Sequence, residues 1–164
     1  MKIEEMVLRA AEIVNDLAQA IEDRGIGLKE VEERILEYVN QIGGLMVQEV
    51  VDRVAEPLVE NRVYVEGEEA VYDGSRNLRF RNRFGGVTVR RRRCYKFLRK
   101  RGGYYPLDEK LGVDKCGGFS PLLTFLQVLF GASRPFEESS VLISKALGFG
   151  VSATAVQWNT ENAG

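Results

Sequence analysis

Arginine and lysine are concentrated in one short part of this chain. Residues 76–101 contain twelve of these cationic side chains and no acidic one, although the whole chain has a formal net charge of -1. Arginine binds phosphate through its planar, bidentate guanidinium group. Because such a cluster is the usual footprint of a nucleic-acid-binding surface, the first chemistry that the sequence predicts is contact with a polyanion.

The arginines alternate with apolar residues in the way that a β-hairpin requires. "LRFRNRF" (residues 78–84) and "VTVRRRRCYKF" (residues 87–97) flank Gly85 and Gly86, a pair suited to a two-residue turn. With Phe84 opposite Val87, cross-strand partners share a face. One face is then predicted to carry Arg79, Arg81, Arg83, Thr88, Arg90 and Arg92, and the other Leu78, Phe80, Phe84, Val87 and Val89.

This register places Arg81 opposite Arg90 and Arg79 opposite Arg92, and like charges in such positions destabilise a hairpin. Bound phosphates would relieve the repulsion. The alternatives are a solvated basic face and a face that binds an acidic protein. We predict DNA contact through the cationic residues of both strands and of the segment that follows, which are Arg79, Arg81, Arg83, Arg90, Arg91, Arg92, Arg93, Lys96, Arg99, Lys100 and Arg101.

Other site chemistries find little support. The chain has no histidine, and its two cysteines, Cys94 and Cys116, are too far apart in sequence for a Cys-x-x-Cys pair. A structural metal needs about four ligands, so we expect no metal and no cofactor in this chain. Asp108 and Glu109 are adjacent, and we interpret them as residues of a turn or helix start rather than as metal ligands.

The N-terminal segment has the opposite charge. Residues 1–75 contain 18 acidic and 7 basic residues, and apolar residues recur at helical spacing on both sides of Gly25 and Gly27. We predict two helices that close into an antiparallel hairpin, with a homodimer through a coiled-coil seam as the alternative. The apolar positions are Ile3, Val7, Ala10, Val14, Leu17 and Ile21, then Leu28, Val31, Ile35, Tyr38, Ile42 and Leu45.

The C-terminal segment has repeated helix-start signals. Ser120 is the predicted N-cap before Pro121, and either Ser133 or Arg134 is the predicted N-cap before Pro135. Val151 and Ser152 open a third helix after a glycine-containing turn that begins at Gly148. Two helices joined in this way have the outline of a helix-turn-helix, although plain bundle packing gives the same pattern. The candidate recognition face consists of Ser152, Thr154, Gln157, Trp158 and Asn159, of which we assign DNA contact to Thr154 and Gln157.

Together these elements predict an α+β protein with three regions. Residues 1–58 form an acidic helical lobe, residues 59–105 a basic β-hairpin or small sheet, and residues 106–164 a three-helix, helix-turn-helix-like bundle. No apolar run approaches the roughly 20 residues that span a bilayer. The acidic, amphipathic start is unlike a secretory signal, so we expect a cytoplasmic protein that does not contact membranes.

Four motifs follow one another in the second half of the chain: "FRNRFGGVTVRRR", "GYYPLDEKLGV", "FSPLLTFLQVLFGASRPFEESSVLISKALGFGVSATAVQ" and "TENAG". They resemble the N-terminal region of Kra-type insertion-sequence transposases, and the resemblance extends from about Arg76 to Gly164. The resemblance implies a DNA-binding region followed by a nuclease domain that binds divalent metal ions. The chain ends where that domain would begin, and Trp158 replaces a basic residue, so we expect a truncated transposase copy.

These inferences lead to one functional expectation and one alternative. The chain is expected to bind double-stranded DNA at transposon ends without being an enzyme by itself, since divalent metal belongs to the catalytic domain that it lacks. The alternative is a non-catalytic interaction protein whose acidic helices dimerise and whose basic segment docks on an acidic partner.

Overall fold

The computed structural model describes residues 3–57 and 60–163, and these residues form six helices and one four-stranded antiparallel sheet. The α+β prediction is therefore confirmed. The predicted boundary between residues 58 and 59 lies outside the described residues. The elements are α1 (Ile3–Arg24), α2 (Leu28–Arg53), β1 (Arg62–Val65), β2 (Glu68–Arg81), β3 (Val87–Phe97), β4 (Gly103–Tyr104), α3 (Pro106–Leu111), α4 (Pro121–Gly131), α5 (Phe136–Leu147) and α6 (Ala153–Glu161).

Helices α1 and α2 pack at the end where a short turn joins them. Leu17 and Ala20 of α1 and Val31 of α2 are buried there. The predicted stripes are only partly buried, and α2 also contacts β3. The side chains of the predicted Ile3 and Val7 lie outside the described ones. Exposed members of the predicted stripes are Val14, Ile21, Leu28, Ile35 and Leu45.

The hairpin of β2 and β3 has a different register from the predicted one. Its loop comprises residues 82–86 rather than two glycines, because the Asn82 N–H donates to the Gly86 carbonyl at 2.9 Å. The Asn82 side-chain oxygen also accepts from the Phe84 N–H at 3.0 Å. Arg81 therefore pairs with Val87. The pairing is displaced by three residues, and an odd displacement moves every β3 side chain to the other face.

We call residues 75–81 and 87–93 of this hairpin the arm. Leu78 and Phe80 are buried as predicted, and they pack against Val51 of α2 and Val113 after α3. Val87 and Val89 remain 47% and 43% exposed, so their predicted burial is wrong. The inner face of the arm, which packs on this core, carries Leu78, Phe80, Thr88, Arg90 and Arg92, and the outer face carries Arg79, Arg81, Val87, Val89 and Arg91.

The arginines that face each other also differ from the prediction, which placed Arg81 opposite Arg90 and Arg79 opposite Arg92. The arginines that face each other across the strands are Arg76 and Arg92. The Arg76 guanidinium lies 3.0 Å from an Asp73 carboxylate oxygen, and Arg92 forms an ion pair with Asp108. Because each cation has its own carboxylate, the arm needs no bound phosphate to relieve this repulsion.

Helix α2 runs along the open edge of β3. The Gln48 side chain donates to the Val89 carbonyl and accepts from the Val89 N–H, both at 2.9 Å. Further along the same edge, the Arg93 N–H donates to the Glu56 carboxylate. These contacts occupy backbone N–H and carbonyl groups that do not pair with a neighbouring strand. They also join α2 and the residues after it to the sheet.

The three C-terminal helices pack around Leu123, Ile143 and Val156. The predicted starts of α4 and α6 are confirmed, because the Ser120 and Ser152 hydroxyls accept from backbone N–H groups of the first turn. Helix α5 begins at Phe136 with Pro135 as its N-cap. The Ser133 hydroxyl instead donates to the Phe130 carbonyl at 3.2 Å, so its predicted role as an N-cap is wrong.

Candidate nucleic-acid interface

Arg90 and Arg92 lie on the inner face of the arm, away from the face on which they were predicted to join Arg79 and Arg81. Arg90 donates to the Val51 carbonyl of α2. The Arg92 and Asp108 side chains are only 13% and 10% exposed, and their ion pair joins β3 to α3. The odd displacement of the strand register is the physical reason for this correction.

The environment of Arg92 is that of an internal structural cation. Its guanidinium carbon lies 3.8 Å from the centroid of the Tyr105 ring, a distance at which cation–π attraction is effective. Burial lowers the pKa of Arg92 because it penalises the charged form. Asp108 offsets this penalty, so Arg92 is a poor candidate for phosphate contact.

Arg81 is on the predicted outer face, but its polar groups already have partners. One guanidinium nitrogen donates to the Gly150 carbonyl at 2.8 Å and another to the Gly85 carbonyl at 3.2 Å. The guanidinium also lies 4.8 Å from the centre of the Phe149 ring. Arg81 therefore links the turn between α5 and α6 to the loop of the arm, residues 82–86. Arg83, in that loop, is half-buried and lies over the Phe84 ring.

The outward cations form two groups. Arg79 and Arg91 lie on the outer face of the arm, where Arg91 is opposite Asn77 and hence diagonal to Arg79. The second group lies in the last residues of β3 and in the segment after it, where the chain turns toward β4. All members of both groups are exposed; they are Arg79 and Arg91, then Lys96, Arg99, Lys100 and Arg101.

These exposed cations have no acidic partner in the described parts of the chain. Within residues 3–57 and 60–163, no ion pair involves any of the six. Lys100 contacts the Phe97 ring at 4.2 Å from its centroid. Arg93 is half-buried, with its guanidinium 5.8 Å from the centre of the Tyr72 ring. We call the six exposed cations the basic surface.

Helix α6 presents a smaller polar face than predicted. Thr154 and Gln157 lie on this helix, and both are exposed. Asn159 is only 2% exposed and donates to the Gln127 side chain of α4, so its predicted place on the recognition face is wrong. The error arises because α6 crosses α4 closely at Gly131, where an added Cβ would lie 2.9 Å from a Val156 methyl carbon.

The Trp158 side chain of α6 contacts the segment between α3 and α4. Trp158 is 46% exposed, and its ring covers the α-carbon of Gly117 so closely that a Cβ there would collide with it. Gly117 has a φ of +55°, a conformation that glycine adopts without steric cost. Trp158 therefore packs on the chain between α3 and α4, in addition to presenting part of its ring to solvent.

The sequence was also compared with known proteins. A family model described as an uncharacterised protein family, UPF0236, matches residues 21–157. The chain belongs to this family. No curated protein and no solved structure matches the UPF0236 chain. The matched residues include the arm, the basic surface and most of α6. The candidate interface therefore lies within the part of the chain that matches the family.

Lys115, a cation outside the basic cluster, was not predicted as a site residue. Lys115 is exposed in the segment between α3 and α4, and it lines the same cavity as Lys100 of the basic surface. A single lysine next to Asp114 gives no recognisable pattern in the sequence. Only the folding of this segment toward the end of the sheet brings the two lysines to one site.

Proposed function

We propose that this chain is a non-catalytic DNA-binding module of the kind found in the N-terminal part of insertion-sequence transposases. The observation that carries the proposal is the basic surface, whose six exposed cations form no ion pair within the described residues. A solvated face would be expected to intersperse acids among its cations, as α2 does in its Arg34–Glu30 and Arg53–Glu49 pairs. Unpaired cations suit phosphates instead.

We assign different roles to the cations and to the polar residues of α6, because these side chains bind different parts of DNA. Arginine and lysine on phosphates position a protein on DNA without specifying its sequence. Thr154 and Gln157 are the side chains of α6 that could hydrogen-bond to base edges. The expected target is double-stranded DNA at transposon ends, and the resemblance of residues 76–164 to Kra-type transposases supports that choice.

Replacing five cations of the basic surface by glutamine tests the proposal. The variant combines Arg79→Gln, Arg91→Gln, Lys96→Gln, Arg99→Gln and Arg101→Gln. We expect its affinity for random duplex DNA to fall at least about tenfold at about 0.15 M salt, and the dependence of log K on log salt to become shallower by about 0.9 for each phosphate that the variant no longer neutralises. Fluorescence anisotropy of labelled DNA at several salt concentrations measures both quantities.

A matched control removes the same number of charges from the N-terminal helices. Arg9, Arg24, Lys29, Arg34 and Arg53 are all exposed on α1 and α2, and changing them to glutamine alters the net charge equally. This control should retain most of the affinity and salt slope of the parent chain. Equal losses in the two variants would show that only overall charge matters, and an unaffected first variant would rule out the basic surface.

A second candidate function is self-association through the N-terminal helices. Among the described side chains of α1 and α2, nine large apolar ones are between 43% and 70% exposed, and patches of this kind commonly mark protein–protein interfaces. Five of them, at positions 28, 35, 39, 46 and 50, form one stripe along α2. The nine are Leu8, Val14, Ile21, Leu28, Ile35, Val39, Leu45, Met46 and Val50.

The stripe gives a simple test of this second function. Val39 lies near the middle of α2 and is 47% exposed, so Val39→Asp places a charge in the centre of the stripe without disturbing the core. If two copies associate there, the variant should be monomeric at concentrations where the parent chain is dimeric, as measured by light scattering after gel filtration. Identical masses for the two proteins would argue against this interface.

A further inference from the structure

A cavity of about 610 Å³ lies between the inner face of the sheet and the segment from β4 to the start of α4. Its volume falls within the range of about 300–1,000 Å³ that is common for small-molecule sites. Leu78, Phe80 and Arg92 contribute to one wall, and Tyr104, Tyr105 and residues from 113 to 118 contribute to the opposite side. The site is therefore built by elements that are distant in sequence.

Aromatic rings form a large part of the lining. Phe97, Tyr104 and Tyr105 all line the cavity. The Tyr104 ring is held in place by a 2.7 Å hydrogen bond from its hydroxyl to Glu109, and the Tyr105 ring by the Arg92 guanidinium. Rings held in this way provide faces on which a planar heterocycle stacks, whatever its identity.

The polar part of the lining contains an unsatisfied donor and an unsatisfied acceptor. Arg92 and Asp108 both line the cavity. Arg92 Nε and Asp108 Oδ1 are buried and have no hydrogen-bond partner in the described parts of the chain, and Asp108 as a whole is only 7% exposed. Buried polar atoms are normally paired. Neither atom is accessible from the cavity in this conformation, so a ligand edge that offers an acceptor beside a donor, as nucleobase edges do, satisfies them only if the lining side chains shift.

The charges around the cavity are mixed, unlike those of the basic surface. Lys100 and Lys115 line it, but so do Glu66, Glu109 and Asp114. A bare polyanion would be repelled by these carboxylates, whereas a ligand with one phosphate and one neutral ring needs only a few cations. Because Lys100 belongs to the basic surface as well, a strand bound on that surface near Lys100 would pass the entrance of the cavity.

We propose that this cavity binds one nucleotide, with its base stacked against Phe97 and Tyr104 and its phosphate near Lys100 and Lys115. The nucleotide is either extruded from DNA held on the basic surface or taken up as a free mononucleotide. The first source rests on the proposed DNA-binding function, and the second does not. Extruding a base disrupts its stacking and pairing, a cost that contacts in the cavity would have to offset.

Free mononucleotides test the cavity without DNA. The full chain is titrated with each of the four deoxynucleoside monophosphates, and separately with ribose 5-phosphate and inorganic phosphate, by calorimetry. At least one mononucleotide should bind about tenfold more tightly than ribose 5-phosphate, since only the nucleotide stacks. Equal binding of nucleotide and sugar phosphate overturns the proposal, and so does the absence of nucleotide binding together with no base extrusion from DNA.

Two variants locate the site. Tyr104→Ala removes a stacking ring, and Lys115→Glu reverses an exposed cation at the cavity without touching the core. Each should weaken nucleotide binding about tenfold, while Lys96→Glu, which lies outside the cavity lining, should not. Lys115→Glu keeps the test valid if Tyr104→Ala proves unstable. If neither variant changes the binding, the nucleotide is held elsewhere and the proposal is wrong.

Duplex DNA containing 2-aminopurine then identifies the source of the nucleotide. Its fluorescence should rise when the protein is added if a base leaves the stack, and Lys115→Glu should reduce that rise. A mononucleotide signal with no DNA binding would support the cavity and contradict the proposed function. Tight DNA binding with neither signal would support the proposed function and overturn the cavity proposal.

Discussion

Asp108→Ala should lower the free energy of unfolding by about 3–5 kcal/mol, which is the usual cost of removing one partner from a buried ion pair. The substitution leaves the Arg92 guanidinium in a site where its side chain is only 13% exposed. Burial already lowers the pKa of Arg92, and without Asp108 its charge keeps the Tyr105 ring but no carboxylate partner. Urea denaturation followed by circular dichroism measures the change.

Two further variants show whether the loss of stability comes from the ion pair itself or from its surroundings. Glu109→Ala removes the neighbouring acid of the same helical turn, which is exposed, and should cost less than about 1 kcal/mol. Replacing both partners, as Arg92→Met with Asp108→Leu, should recover most of the stability, because no isolated charge remains. A small effect of Asp108→Ala would mean that Arg92 reaches solvent.

The adjacent glycines of α2 should respond in opposite directions to alanine. At Gly43 a Cβ would lie 2.6 Å from a carbon of the Phe84 ring, closer than such atoms approach, whereas at Gly44 its nearest neighbour would be 3.6 Å away. Gly43→Ala should therefore destabilise the chain by about 1–3 kcal/mol through overpacking. Gly44→Ala should stabilise it by up to about 1 kcal/mol, since alanine favours the helix.

This pair of variants is its own control, since both positions lie in the same turn of α2 and undergo the same change. Thermal unfolding of the two proteins side by side measures the difference. Phe84 lies in the loop of the arm, so Gly43→Ala should also increase amide exchange at Gly85 and Gly86. If both variants were stabilised equally, the Phe84 ring would be free to move away from α2.

The parts of the fold that depend on neighbours in sequence were predictable. Ser120 and Ser152 cap the first turns that their positions indicate, and Gly148 ends α5 in a left-handed conformation with a φ of +74°. Each feature is decided within about four residues by hydrogen bonds that a serine hydroxyl or a glycine backbone makes possible.

The register of the arm was not predictable in this way. The Gly85–Gly86 pair favours a two-residue turn, but the Asn82 side chain closes a longer loop by accepting from the Phe84 N–H and contacting Thr88. Asn82 is 2% exposed, so its amide is used by the fold rather than by solvent. One buried side chain thus decides which face of the sheet receives Arg90 and Arg92.

The sequence predicted where the cationic residues are concentrated, but not which of them are exposed. Counting charges located the cluster in residues 76–101, but it could not separate Arg92, which pairs with Asp108, from Arg91, which is exposed. That distinction depends on α3 packing under the sheet, a contact between residues that are distant in sequence. The cavity escaped prediction for the same reason.

The Gln48 side chain has a consequence for how this chain behaves at high concentration. An uncovered strand edge presents N–H and carbonyl groups on which a second molecule can add a strand, and this is a common route to aggregation. Gln48 occupies both groups of Val89, and Glu56 occupies the N–H of Arg93. Helix α2 and the segment that follows it therefore block sheet extension along this part of β3, while the arm keeps its outer face open to solvent.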